Sequence, residues 1–269
     1  SITGVVTNAF MLGGTASFTA SDIATSADGA HSVFAADMDG DGDMDIVSAS
    51  SRDHTIAWYE NNGAADPSWT AANIATNAIS ARSVFAADMD GDGDMDIVSA
   101  SMSDDTIAWY ENNGAADPSW TAADISTSAY GANSVYAADM DGDGDMDILS
   151  ASVYDDTVAW YENDGNSDPT WTKKNIATSA DGATSVYAAD IDGDGDIDII
   201  SASFNEDTIT WYEVQSSNTA PTDIILSTSS VDENTPLATT VGVFTTTDSD
   251  TLDTHTYSLV SGIGDTDNG

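Results

Sequence analysis

The chain contains no cysteine and, among its 269 residues, only four lysines or arginines. Without cysteine there is no disulfide, no zinc–thiolate site and no thiol nucleophile. Without a basic patch there is no footprint for a nucleic-acid backbone, whose phosphates the chain would repel. An anionic membrane surface is disfavoured for the same reason. No stretch approaches the ~18 consecutive apolar residues of a membrane span.

What the chain has in excess is carboxylate: 47 Asp or Glu, and a formal net charge of −43. Charge of that size by itself reads as disorder. Yet 41% of the residues are hydrophobic, with seven Trp, nine Tyr and six Phe, enough for one core or two small ones. The acidic residues are clustered, and a clustered carboxylate excess in a folded chain implies counter-cations. The first residue is Ser1 with no charged-then-apolar leader before it, so the chain reads as a processed or excerpted product.

An internal repeat organises the sequence. The string DMDGDGDMD begins at Asp37, Asp88 and Asp139, and its variant DIDGDGDID at Asp190, each 51 residues after the last. Trp58, Trp109, Trp160 and Trp211 keep the same phase, as do Trp69, Trp120 and Trp171. One unit reads as four strands: Ser32 to Asp37, Asp45 to Ser50, Thr55 to Glu60 and Ser68 to Thr76. Each is a short run of aromatic, β-branched or small residues bounded by Gly, Asp, Asn or Pro. No stretch holds a 3.6-residue period long enough for a helix. SVFAA and DIVSA are apolar or small on both faces, as in sheets stacked face to face.

Four-stranded sheets repeated about an axis make a β-propeller, so the predicted class is all-β. Residues 17–26, SFTASDIATS, align at the 51-residue offset with 68–77, SWTAANIATN, whereas the fourth unit stops after TWYEV at Val214. A strand without a unit and a unit lacking a strand are complementary. Joining them would close a four-bladed ring over 17–215 and remove two exposed sheet edges. The alternative is an open arc whose free strand pairs with another chain.

The Asp/Gly strings are candidate metal loops. In the first, Asp37, Asp39, Asp41 and Asp45 occupy positions 1, 3, 5 and 9, and the Asp43 carbonyl stands at position 7. Gly40 and Gly42 permit the positive-φ curl that turns carboxylates inward. An all-oxygen, carboxylate-rich and flexible donor set suits Ca²⁺, where Mg²⁺ wants a tighter octahedron and keeps waters. Zinc would prefer His or Cys. The same reading gives Asp88, Asp90, Asp92, Asp94 and Asp96, then Asp139, Asp141, Asp143, Asp145 and Asp147, then Asp190, Asp192, Asp194, Asp196 and Asp198. That is four calcium ions, one per repeat. An EF-hand would need Glu at position 12, where Ser48, Ser99, Ser150 and Ser201 stand, and its flanks would be helices. The competing reading is a set of solvated acidic turns, but five carboxylates in nine residues repel one another unless a cation sits among them.

The D-x-D-G-D-G-x-x-D loops between short strands resemble FG-GAP/VCBS-type repeats, relatives of the calcium-bearing blades of integrin alpha chains. The resemblance covers about 200 residues. It implies a propeller, calcium held by the first, third, fifth and ninth loop residues, and an extracellular setting. Propellers of that family commonly have seven blades, while this chain has four repeats.

Composition shifts at Gln215. Residues 216–222 read as a Ser/Asn/Pro linker, and 223–269 as three Thr- and Ser-rich strands. This segment resembles the first half of a bacterial cadherin-like, immunoglobulin-type sandwich. The resemblance implies calcium ligands at Glu233, Asp248 and Asp250, against which plain acidic turns weigh about evenly. Three strands cannot cover their own apolar face, and residues 1–16 form another apolar strand outside the propeller phase. The two meet either within one chain or between chains, and donation between chains would build a head-to-tail homopolymer.

Three function classes follow. The first is a secreted, calcium-stabilised structural or adhesive protein, as the subunit of a fibre. The second is a glycan-binding propeller of a larger cell-surface adhesin, with rings such as Trp58 and Tyr59 stacked on sugars. Core packing between blades is the stronger reading of those rings. The third, an enzyme, finds little footing. His31, His54 and His255 do not recur in the repeat phase, no nucleophile–base pair is visible, and the metal loops absorb the carboxylates.

Overall fold

The computed structural model describes residues 18–214, 223–227 and 243–247. The chain divides into two units, Ser1–Val214 and Gln215–Gly269. The described residues are all-β, and none forms a helix long and apolar enough to cross a membrane.

The first unit is a series of antiparallel sheets, each a meander whose strands pair in chain order. Sheet 1 holds β1 (Ala30–Ala36), β2 (Asp45–Ser50), β3 (Thr55–Asn61) and β4 (Trp69–Ala75). Sheet 2 holds β5 (Ala81–Ala87), β6 (Asp96–Ser101), β7 (Thr106–Asn112) and β8 (Trp120–Ser126). Sheet 3 holds β9 (Ala132–Ala138), β10 (Asp147–Ser152), β11 (Thr157–Asn163) and β12 (Trp171–Ala177). Sheet 4 has three strands, β13 (Ala183–Ala189), β14 (Asp198–Ser203) and β15 (Thr208–Tyr212).

Each sheet packs on the next. Val47, Ala49, Ile56 and Trp58 of sheet 1 meet Val84, Ala86, Ile97 and Tyr110 of sheet 2. The same positions repeat between sheets 2 and 3 and between sheets 3 and 4. This is why β6 and β10, written DIVSAS and DILSAS, are buried along their whole length. Their Ser and Ala positions keep side chains short enough for sheets to approach on both faces. The first strands of successive sheets lie side by side. Ser32, Ser83 and Ser134 accept bonds through Oγ from the amides of Val84, Val135 and Val186, at 3.3, 3.2 and 3.3 Å. Phe34, Phe85, Tyr136 and Tyr187 form a ring ladder along the same strands, with centroids 4.5, 4.7 and 4.7 Å apart. The fourth strands β4, β8 and β12 are the solvent-facing ones.

The closed ring expected from the sequence is not formed among the described residues. Residues 18–26 are exposed and carry no strand, and β15 is left as a sheet edge. Closure needs β13 beside β1. The packing runs β1 to β5 to β9 to β13, and no comparable packing joins the last to the first. The open ends are visible in exposure: Val33 is 69% exposed where Val84, Val135 and Val186 are 4% each.

In the second unit β16 (Asp223–Leu226) pairs antiparallel with β17 (Phe244–Thr247), with Ile224 opposite Thr246 and Leu226 opposite Phe244. These strands fall within the first two strands expected there. The strand expected over residues 1–16, the third expected C-terminal strand, Glu233, Asp248 and Asp250 lie outside the described residues, so the cadherin-like reading stays a resemblance.

Candidate metal centres

Each Asp/Gly string joins the first strand of a sheet to the second. In every repeat the first, third and fifth residues come together. Asp37/Asp39/Asp41, Asp88/Asp90/Asp92, Asp139/Asp141/Asp143 and Asp190/Asp192/Asp194 each place carboxylate oxygens within 4.8 Å of one another. Three hard oxygen donors at that spacing fit a divalent cation. Four Asp triads, one per repeat, are therefore able to hold metal ions.

The backbone that builds the triad is specified locally. Gly91 and Gly93 have φ of 75° and 98°, a region that residues with a Cβ rarely enter. The Asp88 carboxylate spans the curl, accepting from Gly91 N at 2.8 Å and Gly93 N at 3.0 Å. Asp90 accepts from Asp92 N at 3.2 Å and Asp92 from Asp94 N at 2.9 Å. These short loops of bonds are the Asx type that Asp makes readily. Each carboxylate retains acceptor capacity, having about four lone-pair sites. Desolvation first, and neighbouring carboxylates after it, hold Asp39, Asp90 and Asp141 above the ordinary Asp range. A bound cation would reverse that pressure.

The ninth residue behaves differently from the triad. Asp45, Asp96, Asp147 and Asp198 are essentially buried, at 0, 1, 1 and 1% exposure. Each clamps two strands. Asp96 accepts from Met89 N at 3.2 Å and from Asn112 N at 2.7 Å, and the other three repeat this pattern. Burial pushes Asp96 up to about 7 and Asp147 to about 6, with the backbone amides pulling the other way. This residue ties the loop to the third strand of its own sheet. Asp43, Asp94 and Asp145, at the seventh position, lie against Gly63, Gly114 and Gly165.

A further set of residues locks the loops between sheets. The Asn112 side-chain amide donates to Met38 O of the preceding loop at 2.8 Å and to Met95 O of its own loop at 3.1 Å. Asn163 does the same with Met89 O and Met146 O, at 2.8 and 3.0 Å. Both side chains are buried, at 2 and 3% exposure. Sequence reasoning passed over them as part of a turn. The signal was there: Asn61, Asn112 and Asn163 recur at the 51-residue offset.

The model of the FG-GAP-like repeat matches residues 5–48, 37–99, 88–150 and 144–201. The chain belongs to the FG-GAP-like repeat family. Its four FG-GAP-like repeats coincide with the loops just described. Among solved structures, the chain is similar to the crystal structure of the V. cholerae biofilm matrix protein Bap1. The two are 22% identical, with a TM-score of 0.43 over 73% of this chain and 30% of that one. No curated protein matches the sequence.

Proposed function

We propose that this FG-GAP-like repeat protein is a secreted, calcium-stabilised structural or adhesive element. The observation that carries the proposal is the recurrence of one Asp triad in every repeat, on a loop tied to the neighbouring sheet through Asn112 and Asn163. Calcium supplies positive charge where the chain is most crowded with negative charge. The ligands are hard oxygens on solvent-facing loops without the Glu of an EF-hand, which fits the weaker calcium sites of extracellular modules, of order 10⁻⁴–10⁻³ M. Surroundings rich in calcium would keep such sites filled, and this supports the extracellular assignment. The reading is a non-enzymatic one, in which the clustered carboxylates serve as cation ligands.

The glycan-binding reading loses its best residues. Trp58 and Tyr59 are buried, and Trp58 packs edge-on to Trp120 at 6.4 Å. Isothermal titration of the calcium-free chain is the test. We expect about four ions per chain and an accompanying gain of ordered β structure. Titration heats no larger than those of a chain with all four triads changed to Asn would refute the proposal.

A further inference from the structure

We infer that the junction between sheets 1 and 2 carries a binding site for one oxyanion group, a carboxylate or a sulfate, held by Arg82, Arg52 and the Ser80 hydroxyl. The site lies apart from the Asp triads, and the inference does not depend on the calcium proposal.

The first observation is where the chain puts its few cations. Of its four lysines and arginines, both arginines line one pocket of about 480 Å³, together with His31, Ser51 and Ser80. Arg52 comes from the turn after β2 and Arg82 from the start of β5, so the stacking of two sheets brings them together. Both sides of this junction are described.

The second observation is independent of the first, because the repeats serve as their own control. The residues in phase with Arg52 are Ser103, Tyr154 and Asn205, and those in phase with Arg82 are His31, Asn133 and Thr184. His54 stands where the other repeats have Asp105, Asp156 and Asp207. Nearby the first two repeats are identical, with TIAWYE at 55–60 and again at 106–111. This junction therefore gains two arginines and loses a carboxylate. The other junctions stack without these residues, so packing does not call for them.

Ser80 departs in the same place. Its φ is 59°, where the residues in phase with it are Gly29, Gly131 and Gly182, at 71, 76 and 69°. A side chain is strained in this region, and glycine is the unstrained choice. Strain that is kept where glycine would relieve it points to function. What it provides is a hydroxyl at the pocket. Ser80 Oγ accepts from Ser103 Oγ at 2.8 Å, which leaves its own proton to donate. The His54 ring holds the turn in place, its Nδ1 accepting from Ser80 N at 3.1 Å.

Arg82 has donors to spare. It forms no ion pair with a described carboxylate. Its Nη1 donates to His31 Nε2, and its Nε is buried without an acceptor. Desolvation first, and the Arg82 charge second, lower the His31 pKa, which keeps the ring neutral and able to accept. A guanidinium carries five N–H donors in a planar fork, and the fork matches two oxygens of a carboxylate or sulfate. Arg52 meets Asp28 at 3.5 Å with both side chains largely exposed, a surface pair that costs little to open. Two arginines are too few to track a phosphate backbone, so the site suits a single oxyanion, and the pocket has room for the group that carries it.

The charge of the chain does not forbid an anion here. The Asp triads lie at the other ends of the first strands, roughly 20 Å away at ~3.3 Å per residue, well beyond the screening length of about 8 Å. Carboxylates on this side are turned to backbone amides: Asp53 accepts from Asp28 N and Asp104 from Ile79 N, each at 3.1 Å.

The test is a titration of the full chain in calcium with sodium sulfate and with sodium glucuronate, followed by the NMR signals of the arginine Nε–H groups. Two arginines give two signals, so the readout is specific to the site. We expect a saturable shift of the Arg82 signal with at least one probe. Arg82→Gln, read on the Arg52 signal, should weaken binding about tenfold or more, the loss of a charge-assisted hydrogen bond. Lys174→Gln removes the same charge elsewhere and should leave binding unchanged. Ser80→Gly keeps the test decisive should Arg82→Gln fail to fold. It relieves the left-handed strain, so its thermal midpoint should hold or rise while affinity drops about threefold. Arginine signals that do not move, or that drift without saturating, would overturn the inference. So would a Lys174→Gln loss as large as that of Arg82→Gln, which would mean general charge attraction, or a Ser80→Gly chain that binds like the wild type.

Discussion

Removing calcium should unfold the repeats as a body rather than relax four loops. A ligand at 100 times its dissociation constant adds about 2.7 kcal/mol per site, so four filled sites add about 11 kcal/mol. The whole stability of an ordinary domain is about 5–15 kcal/mol. For a unit of about 200 residues each kcal/mol moves the midpoint by roughly 2–4 °C, which makes the difference between calcium and chelator roughly 20–45 °C. The loss should be cooperative for a structural reason. Asn112 bonds to Met38 O in the first loop and Met95 O in the second, so a disordered first loop strands a buried amide in the next sheet.

The assay is a thermal melt followed by near-ultraviolet circular dichroism and Trp fluorescence, in excess calcium and in excess chelator. The buried Trp58 and Trp109 report on sheet stacking directly. Asp90→Asn provides an internal calibration. It should reduce the bound ions from four to three and lower the calcium-bound midpoint by roughly 5–11 °C, the share of one ~2.7 kcal/mol site. A midpoint that moves by less than about 2 °C on chelation, in a chain shown to be metal-free, would refute the reasoning. The triads would then be acidic turns that the fold tolerates without help.

Other substitutions separate the parts of the loop. Gly114→Ala should destabilise more than Gly91→Ala, because a Cβ at Gly114 overlaps the Asp94 carboxylate while at Gly91 it meets open space. Gly91→Ala should then show mainly the left-handed backbone penalty of about 1–2 kcal/mol, read by urea unfolding in calcium. Asn163→Ala should lower stability by about 1–3 kcal/mol by leaving Met89 O and Met146 O without their side-chain donor. Calorimetric titration should also show weaker calcium binding in the second loop, to which Met89 belongs. Ile107→Ala should cost about 2–5 kcal/mol as a buried truncation. Ile209→Ala, at the same repeat position but 82% exposed, should stay within about 0.5 kcal/mol.

Most of the architecture was legible because it is written four times. The offset located the strands of the four sheets to within two residues, and the expectation that DIVSAS strands are covered on both faces is met by β6 and β10. The first three Asp positions of each loop were legible from their spacing and the two glycines. The ninth was only half legible. Its conformity to a ligand pattern hid a second task, since Asp96 is buried and accepts two backbone amides, one from its loop and one from the third strand. Spacing identifies which carboxylates are near one another, but not which of them face solvent. Asn112 and Asn163 were missed for a related reason. An Asn before Gly reads as turn chemistry, and its long-range bonds to Met38 O and Met89 O become visible only when sheets stack. The left-handed residues Asp105, Asp156 and Asp207 were passed over too, since their φ of about 55–60° is set by a turn that many sequences can make.

The expected ring is not formed among the described residues, a point that repeat arithmetic cannot address. Complementary ends say that a strand and an edge belong together; they do not say that both come from one chain. That depends on how far each sheet rotates relative to the last, which is a property of packing at Val47, Ile56, Val84 and Tyr110 rather than of phase. The acidic loops then acquire a second significance. The first and second loops are bonded to the sheet beyond them through the buried Asn112 and Asn163, so an ion that ordered either loop would also fix the position of the neighbouring sheet. Metal binding at those two loops would then be coupled to the stacking of sheets 1, 2 and 3.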